Sequence, residues 1–154
     1  MTNCKFNVII GFAFILFVAC RKNKENTLPT VPIEPVLKFE SVNKTTVKAF
    51  GDSLVFSVSY TDGDGDLGDF NSDSLSLYLM DTRASSLQER YHVAPSVPAN
   101  VKVAIQGAFR IVLDHTILLN SASSSESTVF KIKVKDRSGN WSDAVSSPSI
   151  TIKP

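Results

Sequence analysis

The sequence predicts an all-β domain, an antiparallel sandwich of about seven strands, on three observations. Apolar residues recur at every second position in short runs, turn-forming residues separate those runs, and no long stretch carries a 3.6-residue period. Strict alternation buries one face of a strand and leaves the other in water, as in an antiparallel sheet packed on one core. The connections are long and uneven, which suits a Greek-key sandwich better than an up-and-down barrel.

In chain order, Leu37 and Phe39 alternate with Lys38 and Glu40, giving a first strand to Val42. Leu54, Phe56, Val58 and Tyr60 form the second, and Leu75, Leu77 and Leu79 the third. Gln88 to Val93 adds a strand after it. Val101, Val103 and Ile105, then Phe109, Ile111 and Leu113, read as a hairpin turning at Gln106-Gly107. Asp114 to Leu119 is the one place where a short helical turn is expected, and Ser121 to Ser127 reads as a flexible crossover. Phe130, Ile132 and Val134 alternate with lysines at 131, 133 and 135, and Ile150 and Ile152 close the chain. Other turn signals are Ala49-Phe50-Gly51-Asp52 and Ser138-Gly139-Asn140. Laid out as an immunoglobulin-like domain, these segments are strands A, B, C, an added strand, D/E, F and G.

The domain is expected at residues 37–154, long enough to bury its own core. Before it, Lys5 and the apolar run Val8 to Val18 have the form of a signal peptide, too short for a bilayer that needs ~20 residues. Phe17-Val18-Ala19-Cys20 resembles a bacterial lipobox, with Phe17 where Leu is usual. The resemblance implies cleavage after residue 19 and a lipid on Cys20, anchoring the protein to a membrane. The alternative is an ordinary secretory signal with an incidental cysteine. Residues 20–36 form a tether in which Pro29, Pro32 and Pro35 recur at polyproline II spacing. About sixteen such residues reach up to ~50 Å from the lipid. Of the two cysteines, Cys4 falls in the signal and Cys20 at the anchor, so the domain relies on packing and not on a disulfide.

A net charge of +1 gives no electrostatic footprint for nucleic acid. Catalytic readings are poor as well. His92 and His115 are the only histidines and form no metal-ligand pair, and no Gly-x-Ser-x-Gly elbow is present. No enzyme is expected. Asp52-Ser53-Leu54 and Asp73-Ser74-Leu75 match a short O-glycosylation signal of Bacteroidota, a match short enough to arise by chance.

The chemistry concentrates in Thr61-Asp62-Gly63-Asp64-Gly65-Asp66-Leu67-Gly68-Asp69. Carboxylates at alternating positions repel one another when bare, and a hard cation with six to eight oxygen ligands relieves this. Interleaved glycines let the backbone turn all three inward. The spacing resembles the first half of EF-hand, dockerin and thrombospondin-type calcium loops. Leu67 stands where Gly is expected, Asp73 stands where Glu is expected, and no helix flanks the loop, so an EF-hand is rejected. Two readings remain: a calcium loop on Asp62, Asp64 and Asp66 with Asp69 or Asp73 completing the shell, or a solvated acidic turn. The loop after strand F, Asp136 to Asp143, should emerge at the same end, so Asp136 could lend a further carboxylate. Trp141 beside Asn140 could cap the core or offer a flat face to a sugar ring.

The lipobox, the tether, Phe56-Ser-Val-Ser-Tyr60-Thr-Asp-Gly-Asp-Gly-Asp-Leu-Gly68 and Val134-Lys-Asp-Arg-Ser-Gly-Asn-Trp-Ser142 together resemble small Bacteroidota lipoproteins with one immunoglobulin-like or cadherin-like domain. That resemblance implies a lipid-anchored place in the cell envelope, at the outer membrane with either face open. It also implies a non-catalytic binding role toward an envelope protein or, alternatively, a glycan within a polysaccharide-uptake system.

Overall fold

The computed structural model describes residues 31–154. The expected signal peptide, Cys20 and the first part of the expected tether lie outside the described residues. Ten strands run in order: β1 (Val36–Val42), β2 (Thr46–Lys48), β3 (Leu54–Asp62), β4 (Leu75–Asp81), β5 (Gln88–His92), β6 (Ile105–Leu113), β7 (Glu126–Thr128), β8 (Phe130–Val134), β9 (Val145–Ser146) and β10 (Ile150–Lys153). There is no helix among the described residues.

They form sheets ordered β1-β3-β6, β5-β4-β8-β9 and β2-β10-β7. Every pairing is antiparallel except β10 with β2. Leu54, Phe56 and Val58 of β3 meet Leu77 and Leu79 of β4 and Ile132 and Val134 of β8 in one buried cluster, joined by Val47, Ile150 and Ile152. The Phe56 and Phe130 rings, 5.3 Å apart, bridge the first two sheets. The arrangement is all-β and consistent with a sandwich. Each such side chain contributes ~1.5–3 kcal/mol on burial, so alternation in the sequence becomes cohesion between sheets.

Three expectations are corrected. Gln106-Gly107 is no turn: β6 runs straight through it, paired with β3 from Leu54↔Leu113 to Asp62↔Ile105. The glycine answers a crossing side chain instead, since a Cβ at residue 107 would lie 2.6 Å from the Tyr60 hydroxyl. Tyr60 lies against Phe109, ring centroids 4.6 Å apart, so the aromatic pair covers the gap that glycine leaves. Val101 and Val103 belong to a loop. Asp114 to Leu119 is not helical, because its carbonyls are used elsewhere: Thr116 O accepts from Phe50 N and Ile117 O from Arg83 Nη1. The Ser121 to Ser127 tract is no free crossover either, for it enters β7 at Glu126.

Candidate metal centre

Asp62 is the last residue of β3, so the strand delivers its carboxylate to the sheet edge fully buried, 0% exposed. The chain then turns through Gly63 to Gly68 and is held there by Leu67, whose side chain is buried in the core. At this position a calcium-loop template carries glycine; here it carries a plug. Leu67 also bridges to Asp136 just beyond β8, which brings the loop after β8 against the acidic loop as the shared strand direction requires.

The glycines are demanded by geometry. Gly65 and Gly68 have φ of +75° and +85°, where side chains are strained. A Cβ on Gly63 would sit 2.6 Å from Val31 O, one on Gly65 2.5 Å from Val103 O, and one on Gly68 2.7 Å from Ala94 O. Backbone from the tether and from the segment before β6 therefore closes directly over the loop.

One carboxylate oxygen each from Asp62, Asp64 and Asp66 lies within 4.8 Å of the others. The second oxygens of Asp62 and Asp66 are tied down. Asp62 Oδ2 accepts from Leu67 N at 3.2 Å, and Asp66 Oδ2 accepts from Ser138 N at 3.0 Å and Ser138 Oγ at 2.5 Å. Asp64 Oδ2 has only the exposed Lys102 ammonium at 3.9 Å. The Oδ1 atoms of all three are buried and have no hydrogen-bond partner among the described residues. Burial pushes the Asp62 carboxyl above its ordinary value; the Leu67 N–H opposes this, and Asp66, Asp64 and Asp136 add to the rise by repulsion.

The other candidates lie outside this group. Asp136 is buried, but its Oδ1 accepts from Asn140 N at 2.7 Å and its Oδ2 from Asn140 Nδ2 at 2.9 Å. Asn140 is thus a clasp closing its own turn. Asp69 Oδ1 accepts from Asn71 N at 3.0 Å, and that bond, then the Ser74 hydroxyl, holds its pKa below the usual value. Asp73 is exposed, with its N–H on Asn71 Oδ1. Trp141 is 39% exposed, edge-on to Tyr78 with centroids 4.9 Å apart, so it caps the outer face of β4 and β8, not the core.

Sequence reasoning missed that Leu67 N holds Asp62 from within the loop and that Ser138 holds Asp66 from across the fold. It also missed a second polar centre, where Arg83 pairs with Asp81 and Glu126, both at 2.6 Å. Thr128 Oγ1 also donates to Asp81. Burial raises the Asp81 pKa, but the Arg83 and Thr128 hydrogen bonds outweigh it and the net direction is down. Glu126 is lowered by the Asn120 and Leu119 N–H groups and then by Arg83.

No protein-family model matches the chain, and neither the curated proteins nor the solved structures gave a match. The inward oxygens are all hard, anionic donors, the set that suits calcium, magnesium or manganese rather than a soft metal.

Proposed function

We propose that this protein is a lipid-anchored, non-catalytic binding module of the bacterial cell envelope, tethered at Cys20 and stabilised by one calcium ion between β3 and β4. The reading rests on the three buried Oδ1 atoms of Asp62, Asp64 and Asp66, each without a partner, while the neighbouring oxygens of Asp62 and Asp66 are held in place by Leu67 and Ser138. Leaving three such atoms unpaired costs ~1–3 kcal/mol apiece, more for charged groups, and a bare acidic turn would splay them into water. Calcium is favoured over magnesium because the donors come from an irregular loop, and magnesium demands near-ideal octahedral geometry. The role of the ion is to pin a long connection and, through Ser138, the loop after β8.

An immunoglobulin-like topology suits the strand order. β1-β3-β6 corresponds to A-B-E and β5-β4-β8-β9 to C′-C-F-G, with β10 continuing G to pair in parallel with β2. Loops β3–β4 and β8–β9 then share one end, the usual place for recognition on such a domain.

Titration calorimetry with calcium chloride tests the metal. One site per chain is expected, with a Kd in the ~0.1–1 mM range of extracellular modules. Asp64→Asn should weaken it at least tenfold, and an absence of binding heat would return the loop to a solvated turn. For the anchor, Cys20→Ser should leave an unprocessed precursor that takes up no labelled palmitate; normal processing of that variant would remove the lipid from the proposal.

A further inference from the structure

Beside the acidic loop, a groove of ≈ 250 Å³ opens on the outer face of β4. It is lined by Ser76, Tyr78, Lys135, Arg137 and Trp141 among others. Ser76 projects from the outer face of β4, yet it is only 8% exposed, and its hydroxyl has no hydrogen-bond partner among the described residues. A buried hydroxyl left unpaired at the floor of a polar groove points to a ligand group that meets it.

The surface running up from the groove is cationic. Lys131 and Lys133 pair with Met80 and Tyr78 across β4–β8, and Arg90 pairs with Tyr78 across β4–β5. Together with Lys135 they make a row and a flank of positive charge on one sheet face. Alternate residues on a strand stand ~6.8 Å apart, so the three lysines span ~14 Å. None of these four cations forms an ion pair among the described residues. Three of them rest on aromatic rings instead, Lys133 4.1 Å and Lys135 5.9 Å from the Trp141 centroid and Arg90 4.8 Å from that of Tyr78. The acids that reach the groove are already spent: Asp136 on Asn140, Asp69 on Asn71.

We propose that this groove and its lysine row bind an acidic oligosaccharide, a chain of sugars carrying carboxylates or sulfates at intervals. The cations take the acid groups, and Ser76 Oγ takes a hydroxyl or ring substituent seated in the groove. A polynucleotide needs open ring faces for its bases, and here Lys133 and Arg90 already rest on the rings. A flat membrane would leave the Ser76 hydroxyl unmet. The same cations change what Trp141 does, from a stacking platform for neutral sugar to a brace that aims Lys133. The proposal rests in part on the calcium reading, because Asp66 holds Ser138 and the Asp66 carbonyl accepts from Arg137 N, so the ion would set the far wall of the groove.

The test uses the described domain with its tether, saturated with calcium, and reads the fluorescence of its single tryptophan together with calorimetry. Probes are hexasaccharides of hyaluronan, galacturonate and heparin, with neutral chitohexaose, single-stranded oligonucleotide and anionic phosphatidylglycerol vesicles for comparison. At least one acidic hexasaccharide should bind at least tenfold tighter than chitohexaose, weakening as salt rises. Lys133→Gln combined with Lys135→Gln should cost tenfold or more for that probe, and Ser76→Ala should weaken it with melting unchanged. Equal binding of chitohexaose, binding only to the oligonucleotide or vesicles, or no acidic probe binding below about 1 mM would each overturn the proposal. Calcium calorimetry on the same domain prepared free of calcium separates the two readings: metal binding without sugar binding sinks the groove alone, and sugar binding without metal binding sinks the calcium reading alone.

Discussion

Chelating calcium should lower the melting temperature by an amount that follows from the acidic loop. An ion that binds only the folded chain stabilises it by RT ln(1 + [Ca]/Kd). With a Kd near ~0.1 mM, 10 mM calcium is about a hundred times Kd and contributes ~2.7 kcal/mol. For a domain of this size each kcal/mol moves the midpoint by roughly 3–5 °C, so the melts with calcium and with chelator should separate by about 8–14 °C. Differential scanning calorimetry measures this directly, with magnesium at equal concentration as the control. Asp64→Asn, binding at least tenfold more weakly, should cut the separation to about 4–7 °C or less while leaving the chelated melt near wild type, because Asp64 is only partly buried and engages Lys102 weakly. Superimposable wild-type melts with and without calcium would refute the reasoning outright. So would a separation that Asp64→Asn preserves, since that places the ion elsewhere.

Asp62→Asn should raise the melting temperature in chelator while abolishing the calcium response, because the amide removes a buried charge repelled by Asp66, Asp64 and Asp136; a fall in the chelated melt would count against that repulsion. Arg83→Ala should be severe, ~3–5 kcal/mol, because it strands the buried Asp81 carboxylate; a midpoint within 3 °C of wild type would contradict the pairing. Asp81 and Glu126 are both lowered, so their stabilisation is complete above their unfolded pKa values near ~4 and is lost as pH falls through the folded values. An acid titration of the chelated protein should therefore steepen below pH ~4, and less so in Arg83→Ala. Gly68→Ala should weaken calcium at least tenfold, since its φ of +85° and the Ala94 carbonyl both resist a side chain, as calorimetry would show.

Strand positions were legible where one face is wet and the other buried. Phe130 to Val134 carries lysines against core residues, and β8 falls there. The failure at Gln106-Gly107 has a specific cause. Glycine in a strand and glycine in a turn look alike along the chain, and only the Tyr60 ring, which comes from β3, distinguishes them. β2, β7 and β9, of two or three residues each, are too short to show a period. Within the acidic loop, alternate spacing was enough to single out Asp62, Asp64 and Asp66. It could not separate them from Asp69 and Asp136, whose oxygens accept from Asn71 and Asn140, or from Asp73, which is exposed. Whether a carboxylate is free depends on its partners, and these come from loops up to seventy-two residues away, as with Ser138 on Asp66.

Two features of the loop at this end of the domain belong to one mechanical system. Gly63 meets the backbone of Val31 and Pro32, so the tether's last residues lie on the acidic loop, and Ser138 and Arg137 hang from Asp66 on the other side. A cation drawing the three carboxylates together would tighten both contacts at once, fixing the angle at which the domain leaves its tether and the shape of the groove under Trp141. Gly63→Ala separates these effects. Its Cβ would strike tether carbonyls, not the carboxylate cluster, so it should expose residues 31–36 to proteolysis while calcium still binds. If the variant loses calcium as well, residues 31–36 and the acidic loop fold as one unit, and the geometry of the proposed anchor depends on the ion.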